Sequence, residues 1–185
     1  DYQENGIVKG KNLIISKEYF LMTNDFSNEL YKKELILDKQ IFVKKCSFDD
    51  IESLIELERG YRLEEVSVTG IPESDALLRM LLEKALQKQI IFSALYSDSS
   101  NEVIAKVATN ARGKNFYQIG GVFTKKEFRN KGIMFNLMIQ FMNYIHSENK
   151  KATLFVNIHN EPAKKVYEKL GFILIGKYRI SYFQK

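Results

Sequence analysis

The stretch Gln118–Met134 reads QIGGVFTKKEFRNKGIM, and its pattern decides the fold. Gln118–Thr124 predicts a β-strand, Lys125–Lys131 a short basic turn, and Gly132 the start of a helix. Apolar residues then recur at steps of three and four, which indicates one buried helical face: Met134, Leu137, Met138, Phe141, Met142 and Ile145. A strand that enters a helix through such a loop leaves unpaired backbone N–H groups at the positive end of the helix dipole. This combination binds phosphate.

The loop differs from two familiar phosphate-binding loops. It contains neither the Walker pattern G-x-x-x-x-G-K-S/T nor the dinucleotide pattern G-x-G-x-x-G. A basic turn before an ordinary core helix is the alternative interpretation of the loop taken alone.

The composition indicates a folded, soluble protein of one domain. The chain has 185 residues, of which 45% are hydrophobic and 28% charged, and no run approaches the length of a membrane span. The single cysteine, Cys46, cannot form an intramolecular disulfide, so we expect a cytoplasmic protein and a small buried thiol. A net charge of +5 favours anionic ligands. The lysines are scattered, however, which argues against nucleic acid, and two histidines with one cysteine argue against a metal site.

The remaining elements follow from changes of period along the chain. The predicted order is β-α-α-β-β-β-α-β-α-β with an extra N-terminal hairpin, Asn12–Ser16 and Tyr19–Thr23. Helices are expected after Ser47, from Ser74 or Asp75, from Gly132, and over Glu161–Leu170 with Asn160 as its cap. Arg59–Ser74 holds two glycines and a proline, so we expect a loop with at most one helical turn, and Asn28–Lys39 is ambiguous. The predicted strands are Ile41–Cys46, Ile90–Tyr96, Glu102–Asn110, Asn115–Thr124, Ala152–Asn157 and Phe172–Phe183, with a turn at Ser97–Asn101.

Two motifs in this order resemble the GNAT superfamily of N-acetyltransferases. Arg129–Met134, RNKGIM, resembles the R/Q-x-x-G-x-G/A loop that binds the pyrophosphate of acetyl-coenzyme A, although Met134 replaces the usual small residue. Asn157–Phe172 is similar to the signature N-x-x-A-x-x-x-Y-x-K-x-G-F, with matches at Asn160, Ala163, Tyr167, Lys169, Gly171 and Phe172. The resemblance covers residues 41–185 and is strongest to a bacterial subgroup of acetyltransferases. Residues 1–40 are then expected to form an N-terminal extension, for which three roles stay open: completing the sheet, covering the acceptor site, or belonging to a preceding domain.

The resemblance implies a fold and a reaction. The fold would be α+β, with a mixed, mostly antiparallel central sheet flanked by helices. The reaction would move an acetyl group from acetyl-coenzyme A directly to an amine of a small molecule or peptide, without a metal. Tyr167 would protonate the leaving thiolate, and the backbone N–H of Val122 or Phe123 would stabilise the developing oxyanion. The implied coenzyme-binding residues are Val122, Phe123, Thr124, Arg129, Asn130, Lys131, Gly132, Ile133, Met134, Asn157, Asn160, Ala163 and Tyr167.

The acceptor and the general base stay open from the sequence. In this superfamily the segment here numbered 59–74 walls the acceptor site, and its Tyr61, Arg62, Glu64 and Glu65 suit a polar or cationic amine. Glu64, Glu65 and Glu127 are alternatives for the base. A coenzyme A-binding sensor without turnover and a nucleic-acid-binding domain are the competing functions, and a homodimer is an open option.

Overall fold

One seven-stranded sheet organises the part of the chain that the computed structural model describes, residues 13–26, 41–96 and 102–183. Its strands are β1 Leu13–Asn24, β2 Ile41–Lys45, β3 Ile91–Tyr96, β4 Glu102–Arg112, β5 Phe116–Thr124, β6 Lys151–Asn157 and β7 Ile173–Phe183. The four α-helices of this part are α1 Ile51–Tyr61, α2 Asp75–Lys88, α3 Ile133–Ser147 and α4 Glu161–Lys169. The ambiguous segment Asn28–Lys39 and the predicted turn Ser97–Asn101 lie outside the described residues.

The strand order across the sheet is β2-β3-β4-β5-β6-β1-β7. Every neighbouring pair runs antiparallel except β5 and β6, which are parallel. The predicted α+β class, with a mixed and mostly antiparallel sheet flanked by helices, is confirmed.

The predicted N-terminal hairpin is wrong, because Leu13–Asn24 forms one continuous strand between β6 and β7. The polar pair Lys17-Glu18 between the two apolar runs imitates a turn in the sequence. In the sheet these side chains have partners: Glu18 accepts two hydrogen bonds from Arg179 of β7, and Lys17 donates to the main-chain oxygen of Glu65 at 3.0 Å. A strand therefore continues through both residues.

Two apolar cores form on opposite faces of the sheet. The larger core contains the predicted stripe of α3, in which Leu137, Met138, Phe141 and Ile145 are fully buried, together with Tyr167 of α4. The smaller core contains Leu54 and Leu57 of α1 and Leu78 and Leu82 of α2. Cys46 is buried there, as expected, and burial raises the pKa of its thiol to about 11. No helix within residues 13–26, 41–96 and 102–183 is long and apolar enough to span a membrane.

The segment after α1 is more helical than the glycine content predicted. Helix α1 continues through Gly60 to Tyr61 and is followed by a π-helical turn, Arg62–Val66. Gly60 is required by packing, since a Cβ atom at this position would lie 2.5 Å from Cζ of Phe123. The prediction of a loop at Arg59–Ser74 is therefore corrected over its first half.

A β-bulge interrupts the pairing of β4 with β5. Lys106 lies opposite Phe123 and Ala108 opposite Gly120, so Gly121 and Val122 together face a single residue of β4. Gly121 has φ +58°, a left-handed conformation that favours glycine. On the other side of β5, the parallel pairing with β6 ends at Ile119 and Leu154. The two strands separate beyond this point, and the separation creates the candidate site.

Candidate functional site

Two cavities meet where β5 and β6 separate. The first, called here the α3 cleft, has a volume of about 590 Å³ and is lined by the loop before α3 and the start of α4. The second, called here the tyrosine pocket, has a volume of about 520 Å³ and contains Tyr19, Tyr61, Tyr167, Tyr178 and Tyr182. Both volumes are typical of small-molecule sites. Five residues line both cavities: Glu65, Val122, Asn160, Ala163 and Tyr167.

The floor of the α3 cleft is the N-terminus of α3. Asn130 and Gly132 have φ values of +61° and +74°, so the loop turns sharply before the helix begins. The first helical hydrogen bond runs from Asn136 N to Gly132 O, which leaves the preceding N–H groups without a helical acceptor. A Cβ atom on Gly132 would meet nothing within 4 Å, so the space beside this turn is open. The loop therefore has the backbone geometry and the room to hold an anion.

The two basic side chains of the segment Arg129–Met134, Arg129 and Lys131, both contact protein groups. Arg129 donates to the main-chain oxygen of Thr124 at 2.9 Å and to both carboxylate oxygens of Glu64, at 2.8 and 3.0 Å. The ammonium of Lys131 lies 5.2 Å from the ring centroid of Phe128, and Lys131 does not line the cleft. Anion binding would thus depend mainly on the backbone of the loop.

The N-terminus of α4 forms the opposite wall of the cleft. The side chain of Asn160 accepts a hydrogen bond from Ala163 N at 3.1 Å, which confirms Asn160 as the predicted helix cap. Tyr167, seven residues later, is buried, and its ring lies 5.9 Å from that of Phe172. Burial raises the pKa of the Tyr167 phenol well above its usual value, and the negative charge of Glu65 adds to the rise. The phenol therefore stays protonated at neutral pH.

Glu65 is the half-buried carboxylate at the junction of the two cavities. Burial raises its pKa, and the charge of Glu64 contributes in the same direction, while Lys17 and Arg129 oppose the rise. Of the other two candidate bases, Glu64 is paired with Arg129 and lines only the α3 cleft. Glu127 is exposed and lines neither cavity. Glu65 is the one of the three that borders both.

A buried ion pair supports the bulge from behind. Lys106 of β4 is almost fully buried, and its ammonium lies 2.9 Å from the carboxylate of Glu58 of α1. The same ammonium donates to the main-chain oxygen of Gly121 at 3.1 Å. Because C=O and N–H are antiparallel in a trans peptide, fixing the oxygen of Gly121 also fixes the direction of the Val122 N–H. This pair was not predicted from the sequence, although a lone lysine inside the apolar run 103–108 is a visible signal.

The structure brings most of the predicted coenzyme-binding residues together. All of them line the α3 cleft except Lys131 and Asn157, and Asn157 lines the tyrosine pocket instead. Met134 packs partly against the larger core, which is compatible with a role for its backbone in the loop. Arg62, expected near an acceptor, pairs with Glu73 and lines neither cavity. Five polar residues of the tyrosine pocket were not predicted from the sequence: Tyr19, Asn110, Gln118, Tyr178 and Tyr182.

Metal-binding side chains do not cluster in the described part of the chain. No group of three or more histidine, cysteine, aspartate or glutamate residues there could hold a metal ion.

Comparison with known proteins supports the same fold. Residues 95–181 match the family described as FR47-like protein. No curated protein matches the chain. A GNAT-family protein from Novosphingobium aromaticivorans is 16% identical, with a TM-score of 0.65 over 93% of this chain. The chain spans 66% of that protein's length.

Two further solved structures match at similar identities. An acetyltransferase from Clostridium acetobutylicum, solved with acetyl-coenzyme A, is 20% identical, with a TM-score of 0.57 over 73% of this chain and 91% of that protein. Glucosamine-6-phosphate N-acetyltransferase from Arabidopsis thaliana is 21% identical, with a TM-score of 0.54 over 76% of this chain and 99% of that protein. At these identities the likeness establishes the fold. The chain thus has the GNAT fold, and its residues 95–181 are similar to the FR47-like family.

Proposed function

We propose that the chain transfers an acetyl group from acetyl-coenzyme A to an amine. One observation carries the proposal: a cleft with the backbone geometry to hold an anion and a second pocket meet at Val122, Tyr167 and Glu65. These residues could supply an oxyanion donor, a donor to the leaving group and a base, which are the three groups that aminolysis of a thioester requires. The acetyl-coenzyme A bound by the Clostridium acetobutylicum protein supports the choice of donor.

The loop before α3 would hold the pyrophosphate of the donor. Its N–H groups from Gly132 to Met134 lie at the positive end of the α3 dipole, beside open space. Arg129 would keep its hydrogen bond to Thr124 and add long-range charge. The pantetheine arm would run between the separated ends of β5 and β6, where unpaired main-chain groups of β5 can bind it.

The Val122 N–H would stabilise the oxyanion. It belongs to the bulge, whose peptide direction is set by the Lys106–Gly121 hydrogen bond. Because this direction is fixed before the reaction, stabilising the developing charge would require little rearrangement.

Tyr167 would act chiefly as a hydrogen-bond donor to the leaving thiolate. Burial raises its pKa above the usual value of about 10, whereas an ordinary thiol has a pKa of about 8.5. Full proton transfer from the phenol to the thiolate would therefore be uphill, while a charge-assisted hydrogen bond is favourable.

Glu65 would accept the proton of the amine. The amine is protonated in water and must lose a proton before it attacks the carbonyl carbon. A carboxylate whose pKa burial has raised is a better base than an ordinary surface carboxylate, and Glu65 borders both cavities.

The test measures coenzyme binding and turnover separately. Acetyl-coenzyme A should raise the melting temperature, because it binds the native state. Release of the free thiol should then require an amine from a panel of primary amines, with N,N-dimethylated analogues of the same amines as the unreactive control. Stabilisation without amine-dependent thiol release would favour the non-catalytic coenzyme A sensor. No stabilisation at saturating donor would reject both functions.

A further inference from the structure

The tyrosine pocket has an unusual charge composition for a chain of net charge +5. Of the described residues that line it, Glu65 is the only charged one, and none is a lysine or an arginine. The rest of its polar lining consists of tyrosine hydroxyls, the side-chain amides of Asn110, Gln118, Asn157 and Asn160, and main-chain groups.

The Glu65 carboxylate is available to a ligand. Glu65 is held through its main chain, because Lys17 donates a hydrogen bond to the Glu65 main-chain oxygen at 3.0 Å. No hydrogen bond to the Glu65 side chain occurs among the described residues, whereas the neighbouring Glu64 carboxylate is taken up by Arg129. Lys17 itself does not line the pocket.

This carboxylate shares the pocket with five tyrosine rings. The charge of Glu65 acts on three phenols of the pocket: Tyr19 on β1, Tyr61 at the end of α1, and Tyr167 on α4. A carboxylate among aromatic rings is a site for an organic cation, because ion pairing and cation–π attraction act together where water is partly excluded.

The same lining disfavours an anionic ligand. A carboxylate or phosphate in this pocket would lose water without gaining a cationic partner from the lining, and it would be repelled by Glu65. The amides can still hydrogen-bond a neutral tail. Asn110 is held over Gly120, where an added Cβ would lie 2.1 Å from its Nδ2 atom.

We propose that the acceptor is a primary alkylammonium or aralkylammonium compound that carries no anionic group, bound by Glu65 and the tyrosine rings. This inference rests on the proposed acetyl transfer and narrows its acceptor. It excludes amino acids with a free carboxylate and phosphorylated amino sugars.

Binding is tested by calorimetry without an acetyl donor, so that the result does not depend on turnover. The probes are tyramine, L-tyrosine and 3-(4-hydroxyphenyl)propanoate, which share a phenol and differ in charge. Each is titrated into the whole chain, alone and with saturating coenzyme A. We expect tyramine to bind at least about tenfold more tightly than L-tyrosine or 3-(4-hydroxyphenyl)propanoate. This ratio matches the binding free energy of a partly desolvated ion pair together with a cation–π contact.

Variants assign the effect to the pocket. Glu65→Gln should weaken tyramine binding about tenfold, whereas Glu64→Gln, the matched control in the adjacent position, should change it less than about twofold. Tyr19→Leu should weaken tyramine binding, and Tyr19→Phe, which keeps the ring, should not. Equal binding of tyramine and L-tyrosine, an unaffected Glu65→Gln variant, or no tyramine binding with or without coenzyme A would overturn the inference. Tyramine binding without thiol release would contradict the proposed acetyl transfer but not the proposed cation-binding site.

Discussion

Among the described residues, Tyr167 is the one buried member of the larger core that lines both the α3 cleft and the tyrosine pocket. Tyr167→Phe keeps the ring and removes only the hydroxyl. If the phenol donates a hydrogen bond to the thiolate, the substitution should remove about 1.5–3 kcal/mol of transition-state stabilisation. This corresponds to a loss of about 10- to 150-fold in kcat.

The melting-temperature shift with coenzyme A should remain in Tyr167→Phe, since the backbone of the loop before α3 is untouched. Tyr144→Phe is the control, because the Tyr144 hydroxyl accepts a hydrogen bond from Lys45 and Tyr144 lines neither cavity. A kcat equal to that of the unmodified chain would remove Tyr167 from the mechanism.

The raised pKa of Glu65 leads to two predictions, one for the pH dependence of activity and one for stability. Its folded pKa is raised by burial, with Glu64 adding to the rise and Lys17 and Arg129 opposing it, above the unfolded value of about 4.3. The acid limb of kcat/KM should therefore have its midpoint above about 4.3. Glu65→Gln should lower kcat by about 10²- to 10⁴-fold and abolish that limb.

The second part of the Glu65 prediction concerns stability. Between its unfolded and folded pKa values, the carboxylate ionises more readily in the unfolded chain, so rising pH costs stability in this window. At pH 7, Glu65→Gln should therefore be more stable than the unmodified chain, and below about pH 4 the difference should vanish. Urea unfolding at both pH values measures this. A variant that is less stable at pH 7 would contradict the raised pKa.

At the scale of elements, the bulge between β4 and β5 depends on the buried Lys106. Among the described residues, Lys106→Met should leave Glu58 with Arg62, 3.9 Å away, as its one remaining ion-pair partner and the Gly121 oxygen without its donor. We expect a loss of about 3 kcal/mol in the free energy of unfolding, the lower end of the range for a broken buried pair.

Glu58→Leu added to Lys106→Met should restore most of that stability, because the uncompensated charge is then removed. The transfer rate should stay low in the double variant, since the Gly121 peptide still lacks the hydrogen bond that orients the Val122 N–H. Urea unfolding and thiol release, measured on the unmodified chain and on these two variants, separate the two effects. A double variant with full activity would show that Lys106 has only a stabilising role.

Elements with a regular repeat of apolar residues or a local capping residue could be predicted from the sequence. Elements that depend on a partner far away in the sequence could not. The stripe of α3 and the cap at Asn160 are local signals, and both are present in the structure. Gly60 suggested a loop because the ring of Phe123, which fills its missing side chain, is 63 residues away in sequence. Lys17-Glu18 suggested a turn because Arg179, the partner of Glu18, comes near the end of the described chain.

At the scale of the whole molecule, β1 belongs to the same sheet as the strands β2–β7. The division of the chain at residue 40 remains a prediction, and the burial of Met22 offers a test of how far β1 contributes. Met22→Ala should cost about 2–5 kcal/mol in the free energy of unfolding, because the side chain is buried in the larger core. Ile14→Ala, at an exposed position of the same strand, should cost less than about 0.5 kcal/mol. Equal effects measured by urea unfolding would mean that β1 adds little to the core.

The site was predictable on its coenzyme side and not on its acceptor side. The α3 cleft is built from two contiguous motifs, so most of its residues could be named from the sequence. The tyrosine pocket collects residues from five strands, from α1 and α4, and from the π-helical turn after α1. No local pattern marks Tyr19, Tyr178 or Tyr182, because only the insertion of β1 beside β7 brings them together.

The position of β1 also sets an order of events during synthesis. Its pairing partners lie far along the chain, and the Ser16–Ser181 hydrogen bond joins residues 165 positions apart. While β7 is still inside the ribosome, the strands β2–β5 can already pair with their neighbours in the sequence. At that stage β1 can pair with β6 on one side, but its partner on the other side, β7, has not yet emerged. Sheet closure must wait for the emergence of β7, and contacts of such long range form slowly. Until then β1, with Leu13, Ile14 and Ile15 uncovered, is the segment that a chaperone would be expected to bind.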